Sequence, residues 1–326
     1  MSGPAYLPPG LCFLPYPRYP LRPKDRPEMH RAKEHRTSSL ASTRSSSPGI
    51  RSLTPLVEPE CKAQAWAISL AGSGQLLAGK AEETPREIAS LTKIMTCHLS
   101  LHLLRYYSEV SLDTRVQVSA TAAKLPGTTS DLRVGDRVSV RDLLYALMLP
   151  SGNDAAQCLA EFFGRYLALE VGGDPTVRLD RYFVREMNEE AGKLQLKHTF
   201  FHNAHGMSIG QNVSTAADIN SLAAAALNSA LFRCIVSTVQ HTALIIDSLG
   251  QTRALTWDNT NKLLAQGFDG VKTGYTAHAG PCLCASVRSG SIRIIITVLR
   301  ARDREERWRE VPKLARWGLL AAAKLQ

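Results

Sequence analysis

The sequence predicts an α+β fold, with an antiparallel sheet flanked by helices and a mostly helical subdomain. Strand-like alternation is confined to residues 65–80 and to the stretch after residue 240. Between residues 88 and 227 the segments with helical apolar spacing dominate, and a last amphipathic run follows Asp303. Strands and helices grouped in blocks, not in strict alternation, describe helices packed against an antiparallel sheet.

Residues 65–71 and 75–80 flank Gly72-Ser73-Gly74, the pattern of a hairpin. Residues 88–107 read as one long apolar helix through Ile88, Leu91, Ile94, Met95, Leu99 and Leu103. Residues 138–149 and 154–169 read as two helices divided by Pro150-Ser151-Gly152-Asn153, with the proline ending the first and Asn153 capping the second. Further helices are expected over 177–194 and 215–227. Strands follow at 241–247, 270–274, 281–288 and 292–300, the last two paired across Ser289-Gly290-Ser291. The closing helix presents Trp308, Val311, Leu314, Ala315, Gly318, Leu319 and Ala322 on one face, and Pro312 is expected to kink or restart it. No internal repeat is visible.

Residues 1–58 read as a disordered or targeting segment ahead of a domain at 59–326. They are rich in proline, then in serine and arginine, without an acidic residue from 35 to 57. Such a composition buries too little apolar surface to offset the entropy of ordering. Its second half has the flavour of an organellar transit peptide, against which Asp25, Glu28 and Glu34 argue. The first 17 residues hold five prolines and no basic start, unlike a secretory signal.

The formal net charge is +10, yet residues 61–300 hold 23 Lys/Arg against 20 Asp/Glu, so the excess sits mainly towards the ends. No stretch interleaves basic and aromatic residues as a nucleic-acid groove would, so no nucleic-acid partner is expected. No apolar run reaches the ~18–20 residues of an integral membrane segment. Seven cysteines include one close pair, Cys282 and Cys284, which a strand would point to one face. That pair alone is a poor zinc site, and buried free thiols are the expected state. His98 and His102 lie four apart, but position 99 is Leu, so the glutamate base of a zinc peptidase is missing. His198, His202 and His205 cluster near a loop. No metal or other cofactor is expected.

Three motifs follow in order: Ser90-Leu91-Thr92-Lys93, Ser151-Gly152-Asn153 and Lys272-Thr273-Gly274. Positions i and i+3 of a helix share a face, so the Lys93 amine reaches the Ser90 hydroxyl. Lysine at its usual pKa is a poor base, and burial, the positive helix end and a second cation (Lys272) all favour its neutral form. Lys93 then takes the Ser90 proton. Ser151 is placed to relay that proton, Asn153 to hold Lys93 and a substrate carbonyl. Lys272 and Thr273 offer a cation and a hydroxyl to a terminal carboxylate, and Gly274 allows close backbone approach.

Residues 89–96 (ASLTKIMT), 143–161 (LLYALMLPSGNDAAQCLAE) and 268–286 (FDGVKTGYTAHAGPCLCAS) resemble the D-alanyl-D-alanine carboxypeptidases, the low-molecular-mass penicillin-binding proteins. Asn203-Ala204-His205-Gly206-Met207 and Ser214-Thr215-Ala216 resemble that family's N-x-x-G-L…S-T-A stretch, and the likeness runs from about 62 to 320. It implies the β-lactamase/penicillin-binding-protein-like form of the α+β fold and a serine peptidase. Its partners would be peptidoglycan stem peptides ending in D-Ala-D-Ala and β-lactam antibiotics. By matching position it implies Ser90 as the acylated nucleophile, Lys93 as proton acceptor, Ser151 as second serine and Lys272 as carboxylate contact. It also implies the backbone N–H groups of Ser90 and Tyr275 as an oxyanion hole, and Arg307 as an assistant to the carboxylate. Pro281 departs from the family's usual aromatic and is expected to disturb strand pairing there. The second β-domain, C-terminal membrane-binding helix and signal peptide of many members have no counterpart in the sequence. The resemblance suggests an extracytoplasmic or cell-wall location, while the Ser/Arg-rich segment suggests an organelle.

Two other readings share the motifs: a serine β-lactamase and a catalytically silent penicillin-binding scaffold. No E-x-x-L-N pentad lies between Ser151 and Lys272, which argues against a class A lactamase. Intact motifs argue against the scaffold. A serine glutaminase shares only the serine–lysine motif, without the flanking segments.

Overall fold

The structure is a computed structural model that describes residues 57–325, apart from 175, 177 and 208–210. The expectation of a disordered or targeting segment at 1–58 falls almost wholly outside the described residues.

The chain begins with the expected hairpin, β1 (Ala65–Leu70) and β2 (Leu76–Lys80), followed by the two-residue β3 (Arg86–Glu87). A 3-10 turn, Ala89–Leu91, leads into α1 (Thr92–Tyr106). Then come β4 (Arg115–Gln117), α2 (Ala120–Ala123), β5 (Arg137–Ser139), α3 (Val140–Met148), α4 (Asn153–Glu170) and α5 (Leu179–Lys193). The second half holds β6 (Val213–Ser214), α6 (Ala216–Leu227), α7 (Ala230–Ser237), β7 (Gln240–Ile246) and β8 (Thr252–Asp258). It closes with β9 (Gly270–Thr276), β10 (Gly280–Ser289), β11 (Ile292–Leu299) and α8 (Glu306–Ala323).

The main sheet is antiparallel throughout, in the order β2-β1-β11-β10-β9, with β9 at one edge. Its central strands are buried on both faces. Ile294, Ile296 and Val298 of β11 join Val311, Leu314 and Ala315 of α8 on one side. Ile295 and Leu299 join the α1 and α6 side chains on the other, with Ile94, Leu99, Ile219 and Leu222. This is why β11 reads as a continuous apolar run and not as an alternation. Helices α3, α4, α5 and α7 pack around α1, most of whose side chains are buried. A four-stranded sheet, β4-β5-β7-β8, lies apart from the main one. The α+β expectation therefore holds, with eight α-helices among the described residues against antiparallel sheets.

Local signals explain most element ends. Ser139 Oγ accepts from Asp142 N at the start of α3, and Thr215 accepts from Asp218 N at the start of α6. Several details differ from expectation. Gly152, not Asn153, is the cap residue of α4; Asn153 is its first helical residue, and its side chain turns inward. α8 runs through Pro312 without a break, held by Val311, Leu314 and Ala315 against the sheet. Strand pairing also continues past Pro281, which stands opposite Tyr275. The Pro281 carbonyl accepts from Ala301 N at 2.9 Å. The N and C=O of one strand residue point the same way, so the missing N–H faces Ala301 and costs β9 nothing.

Candidate active site

Ser90 sits in the 3-10 turn that starts the α1 stretch, one residue after Ala89, whose φ is +47°. Lys93 follows on α1 and is fully buried. Its Nζ lies 3.0 Å from Ser90 Oγ, 2.7 Å from Asn153 Oδ1 and 2.7 Å from the His205 carbonyl oxygen. Asn153 Nδ2 donates to the Pro126 carbonyl at 2.7 Å, which fixes the amide with its oxygen towards Lys93.

Three neighbours around one amine decide its chemistry. Asn153 Oδ1 and the His205 carbonyl only accept, so they take two N–H donors. A neutral amine has two such donors and one lone pair, and the lone pair is left for the Ser90 hydroxyl. The arrangement thus fits a neutral Lys93 accepting a proton from Ser90. Burial first, then the charge of Lys272, holds the Lys93 pKa well below the ordinary lysine range; Asp154 opposes them. Lys272, also buried, is pushed down to about 7 by burial and by Arg307.

A clamp from residues 126–132 shapes the second motif. Thr128 Oγ1 donates to the Ser151 carbonyl at 2.6 Å, and Asn153 N donates to the Thr128 carbonyl at 2.8 Å. The buried Asp154 carboxylate accepts from Ser130 N at 2.8 Å and Thr129 Oγ1 at 2.7 Å, tying this segment to α4. Ser151 is held at φ +70°, a conformation costly for a residue with a side chain. Its hydroxyl is buried and has no hydrogen-bond partner among the described residues.

Lys272, Thr273, Gly274 and Tyr275 lie on β9, the edge strand. Lys272 Nζ donates to the Thr273 carbonyl at 3.1 Å, and Thr273 Oγ1 lies 2.8 Å from Thr260 Oγ1. Because Pro281 faces Ala301, its neighbour Cys282 faces β9 and pairs with Gly274. Alternation then turns the N–H and C=O of Tyr275 to the open edge. In this structure Gly274 makes room for the chain itself. A Cβ there would lie 3.0 Å from the Ile88 carbonyl oxygen and 3.2 Å from Ser90 N, closer than most Cβ contacts, so its neighbours would have to shift. The edge N–H of Tyr275 and the N–H of Ser90 are therefore neighbours.

Arg307 is near the site but occupied: its Nη1 donates to the carbonyls of Gly274 and Cys282, each at 2.9 Å. Its evident part in this structure is to pin β9 to β10 and to add positive charge beside Lys272. The histidines hold no metal cluster: among the described residues no group of three or more His, Cys, Asp or Glu could hold an ion. His98 Nε2 instead lies 3.1 Å from Glu190 Oε1, and His205 is kept neutral, its pKa driven down to about 3 by burial and Lys93. Cys97, Cys158, Cys282 and Cys284 are buried free thiols. Residue-type reasoning did not reach the His205 carbonyl, the 126–132 clamp or Thr260. Only the Asn203-x-x-Gly206 pattern hinted at the first.

The family model for D-alanyl-D-alanine carboxypeptidases, peptidase family S11, matches residues 53–303. The chain belongs to this family. It is 34% identical over 278 residues to the D-alanyl-D-alanine carboxypeptidase of Streptomyces sp. (strain K15), covering 83% of this chain and 91% of that protein. The crystal structure of the Streptomyces K15 DD-transpeptidase superposes with a TM-score of 0.75 at 34% identity, over 81% of this chain and 99% of that one. Identity to the carboxypeptidase DacD of Escherichia coli (strain K12) is 33% over 273 residues, 80% of this chain but 64% of that protein. The carboxypeptidase fold thus accounts for nearly the whole described chain, while some relatives extend well beyond it.

Proposed function

We propose that this family member is a serine-type D-Ala-D-Ala carboxypeptidase that removes the terminal D-Ala of peptidoglycan stem peptides through an acyl-enzyme on Ser90. The observation that carries the reading is the Lys93 amine, buried and held by two carbonyl acceptors so that its lone pair meets Ser90 Oγ at 3.0 Å.

In this reading the stem peptide lies along the open edge of β9, its terminal carboxylate at Lys272 and Thr273. Ser90 Oγ attacks the penultimate D-Ala carbonyl as its proton passes to Lys93. The oxygen that becomes negative lies between the N–H groups of Ser90 and Tyr275, donors already aimed at it before reaction. Lys93 returns the proton through Ser151 to the departing D-Ala amine. The unpartnered Ser151 hydroxyl suits that relay, since it gives up no hydrogen bond to serve in it. Asn153 keeps Lys93 in register, and Arg307 pins β9 to β10. Water then attacks the ester, with Lys93 again as base. β-Lactams enter the same path, because their strained amide presents a carbonyl and a carboxylate at similar spacing.

The test is release of D-Ala from an acetylated peptide ending in D-Ala-D-Ala, together with peptide mapping after labelling by a fluorescent penicillin. Release with a single adduct on Ser90 is expected. An adduct on another residue of folded protein sinks the mechanism, and steady turnover of penicillin in place of a stable adduct favours a lactamase.

A further inference from the structure

Beyond the end of the catalytic edge, the loop after β11 places three arginines around a cavity of about 390 Å³. Tyr275, Ala277, Gly280, Pro281 and Arg300 to Arg304 line it. Arg304 stacks on the Tyr275 ring, its guanidinium carbon 3.8 Å from the ring centroid. Arg300 Nη1 donates to the His278 carbonyl at 2.7 Å, which anchors the side chain and leaves its charge uncompensated by any carboxylate among the described residues. The one acid in the lining, Asp303, is already occupied: it accepts from Glu305 N and Glu306 N and stands 3.7 Å from Arg302. The cavity is thus lined by cationic groups, and among the described residues no acid pairs with Arg300 or Arg304.

Position gives this cavity a meaning, one that rests on the carboxypeptidase reading. Two anchor points set the direction of a bound peptide: its terminal carboxylate at Lys272 and Thr273, its scissile carbonyl at the Tyr275 N–H. The line from the first to the second points along β9 towards Thr276 and Ala277. Each earlier residue of the peptide advances about 3.3 Å along that line. The residue just before D-Ala-D-Ala therefore reaches the cavity beside Tyr275, Ala277 and Arg304. Side chains alternate across a strand, so this residue does not follow its neighbour's side chain, and a long one spans the remaining distance.

We propose that this cavity is a specificity subsite for an anionic side chain on the residue preceding D-Ala-D-Ala, with Arg304 and Arg300 as its cationic contacts. A stem peptide whose third-from-last residue is a diamino acid bearing a second, free carboxylate has the required chemistry; one with a simple amine or an amidated carboxyl there does not. Guanidinium groups suit a carboxylate because their parallel N–H donors match its two oxygens. Both arginines are exposed, so the contact is modest and screened by salt.

The experiment compares two acetylated tripeptides that differ only in whether the residue before D-Ala-D-Ala ends in a carboxylate or in its primary amide. Wild-type enzyme is expected to prefer the carboxylate about fivefold in kcat/KM at low salt, and to lose that preference near 1 M salt. Arg304→Gln with Arg300→Gln should bring the ratio to one or below, and Arg304→Lys should retain part of it. Equal cleavage of the two peptides by the wild type overturns the subsite while leaving the carboxypeptidase reading intact. Cleavage of neither peptide overturns the underlying reading instead. A preference that survives in the double variant places the anion contact elsewhere.

Discussion

Gly206 packs so tightly on Ala89 that a Cβ at position 206 would overlap the Ala89 carbonyl oxygen and crowd Thr92 Oγ1. The same loop supplies the His205 carbonyl to Lys93 and the Ala204 carbonyl to Thr96 Oγ1 at 2.6 Å. The Ser90 turn and the acceptor that orients Lys93 are therefore set by one backbone contact.

Gly206→Ala tests that contact. Gly206 has φ +85°, so alanine there is strained as well as crowded. A loss of about 2–4 kcal/mol in unfolding free energy is expected. Acylation of the protein that remains folded should slow further than that loss explains, since the Ala89–Ser90 turn must move. Denaturant titration and penicillin labelling of the folded fraction measure the two effects. Wild-type labelling in a destabilised variant would show that the contact serves the fold alone.

Ser151 gives the opposite trade. It carries backbone strain at φ +70° and a buried hydroxyl without a partner among the described residues. Ser151→Gly relieves both and should stabilise the fold by about 1 kcal/mol while release of D-Ala falls steeply. Ser151→Ala keeps the strain and loses the hydroxyl, so it should lose the same activity with a smaller gain in Tm. If alanine and glycine stabilise equally, strain at this position is not the cause.

Much of this site is legible in the residues, for an identifiable reason. Ser90 and Lys93 are three apart on one helical stretch, so local geometry alone makes them meet. Lys272, Thr273 and Gly274 fall on a strand with clear apolar neighbours. What the sequence concealed depends on long-range packing. Asn153 reads as a cap because cap residues share its chemistry, yet the pull of buried Lys93 turns it inward. The His205 carbonyl is backbone, which no residue-type search finds. β8 was missed because only Trp257 on it is buried, so its pattern of Thr, Arg, Ala, Leu, Thr, Trp and Asp carries little apolar alternation. Pro281 misled in the other direction, since which way its absent N–H faces is a matter of register.

Lys272 should cost the fold stability. Its pKa falls from the usual lysine value to about 7 on folding, through burial and Arg307. Between pH 7 and about 10 the unfolded chain therefore binds more protons than the folded one, and stability rises with pH across that window. Below pH 7 both states hold the proton and the full penalty remains. Lys272→Met should raise the unfolding free energy by about 1–3 kcal/mol at pH 6, with the gain shrinking towards pH 10. A gain independent of pH would mean that packing, not charge, explains it.

The same variant separates binding from base strength in catalysis. If Lys272 holds the substrate carboxylate, its loss removes a charge-assisted contact of roughly 1.5–3 kcal/mol, a fall of about 10- to 150-fold in kcat/KM expressed largely through KM. Lys272 must be charged for that contact, so wild-type kcat/KM should decline as pH rises through the region of 7, and Lys272→Met should lack this alkaline limb. With Lys93 as the base, the acid limb reports its loss of a proton, since the base works only when neutral. Lys272 is the second cause of its lowered pKa, after burial, and Met keeps the pocket dry. Removing the cation therefore raises the Lys93 pKa only in part, and the acid limb should move to higher pH without reaching the ordinary lysine range. Profiles of kcat and kcat/KM from pH 4 to 10 for the two proteins decide the matter. A rise in KM with an unmoved acid limb would confine Lys272 to substrate binding, leaving burial alone to keep Lys93 neutral.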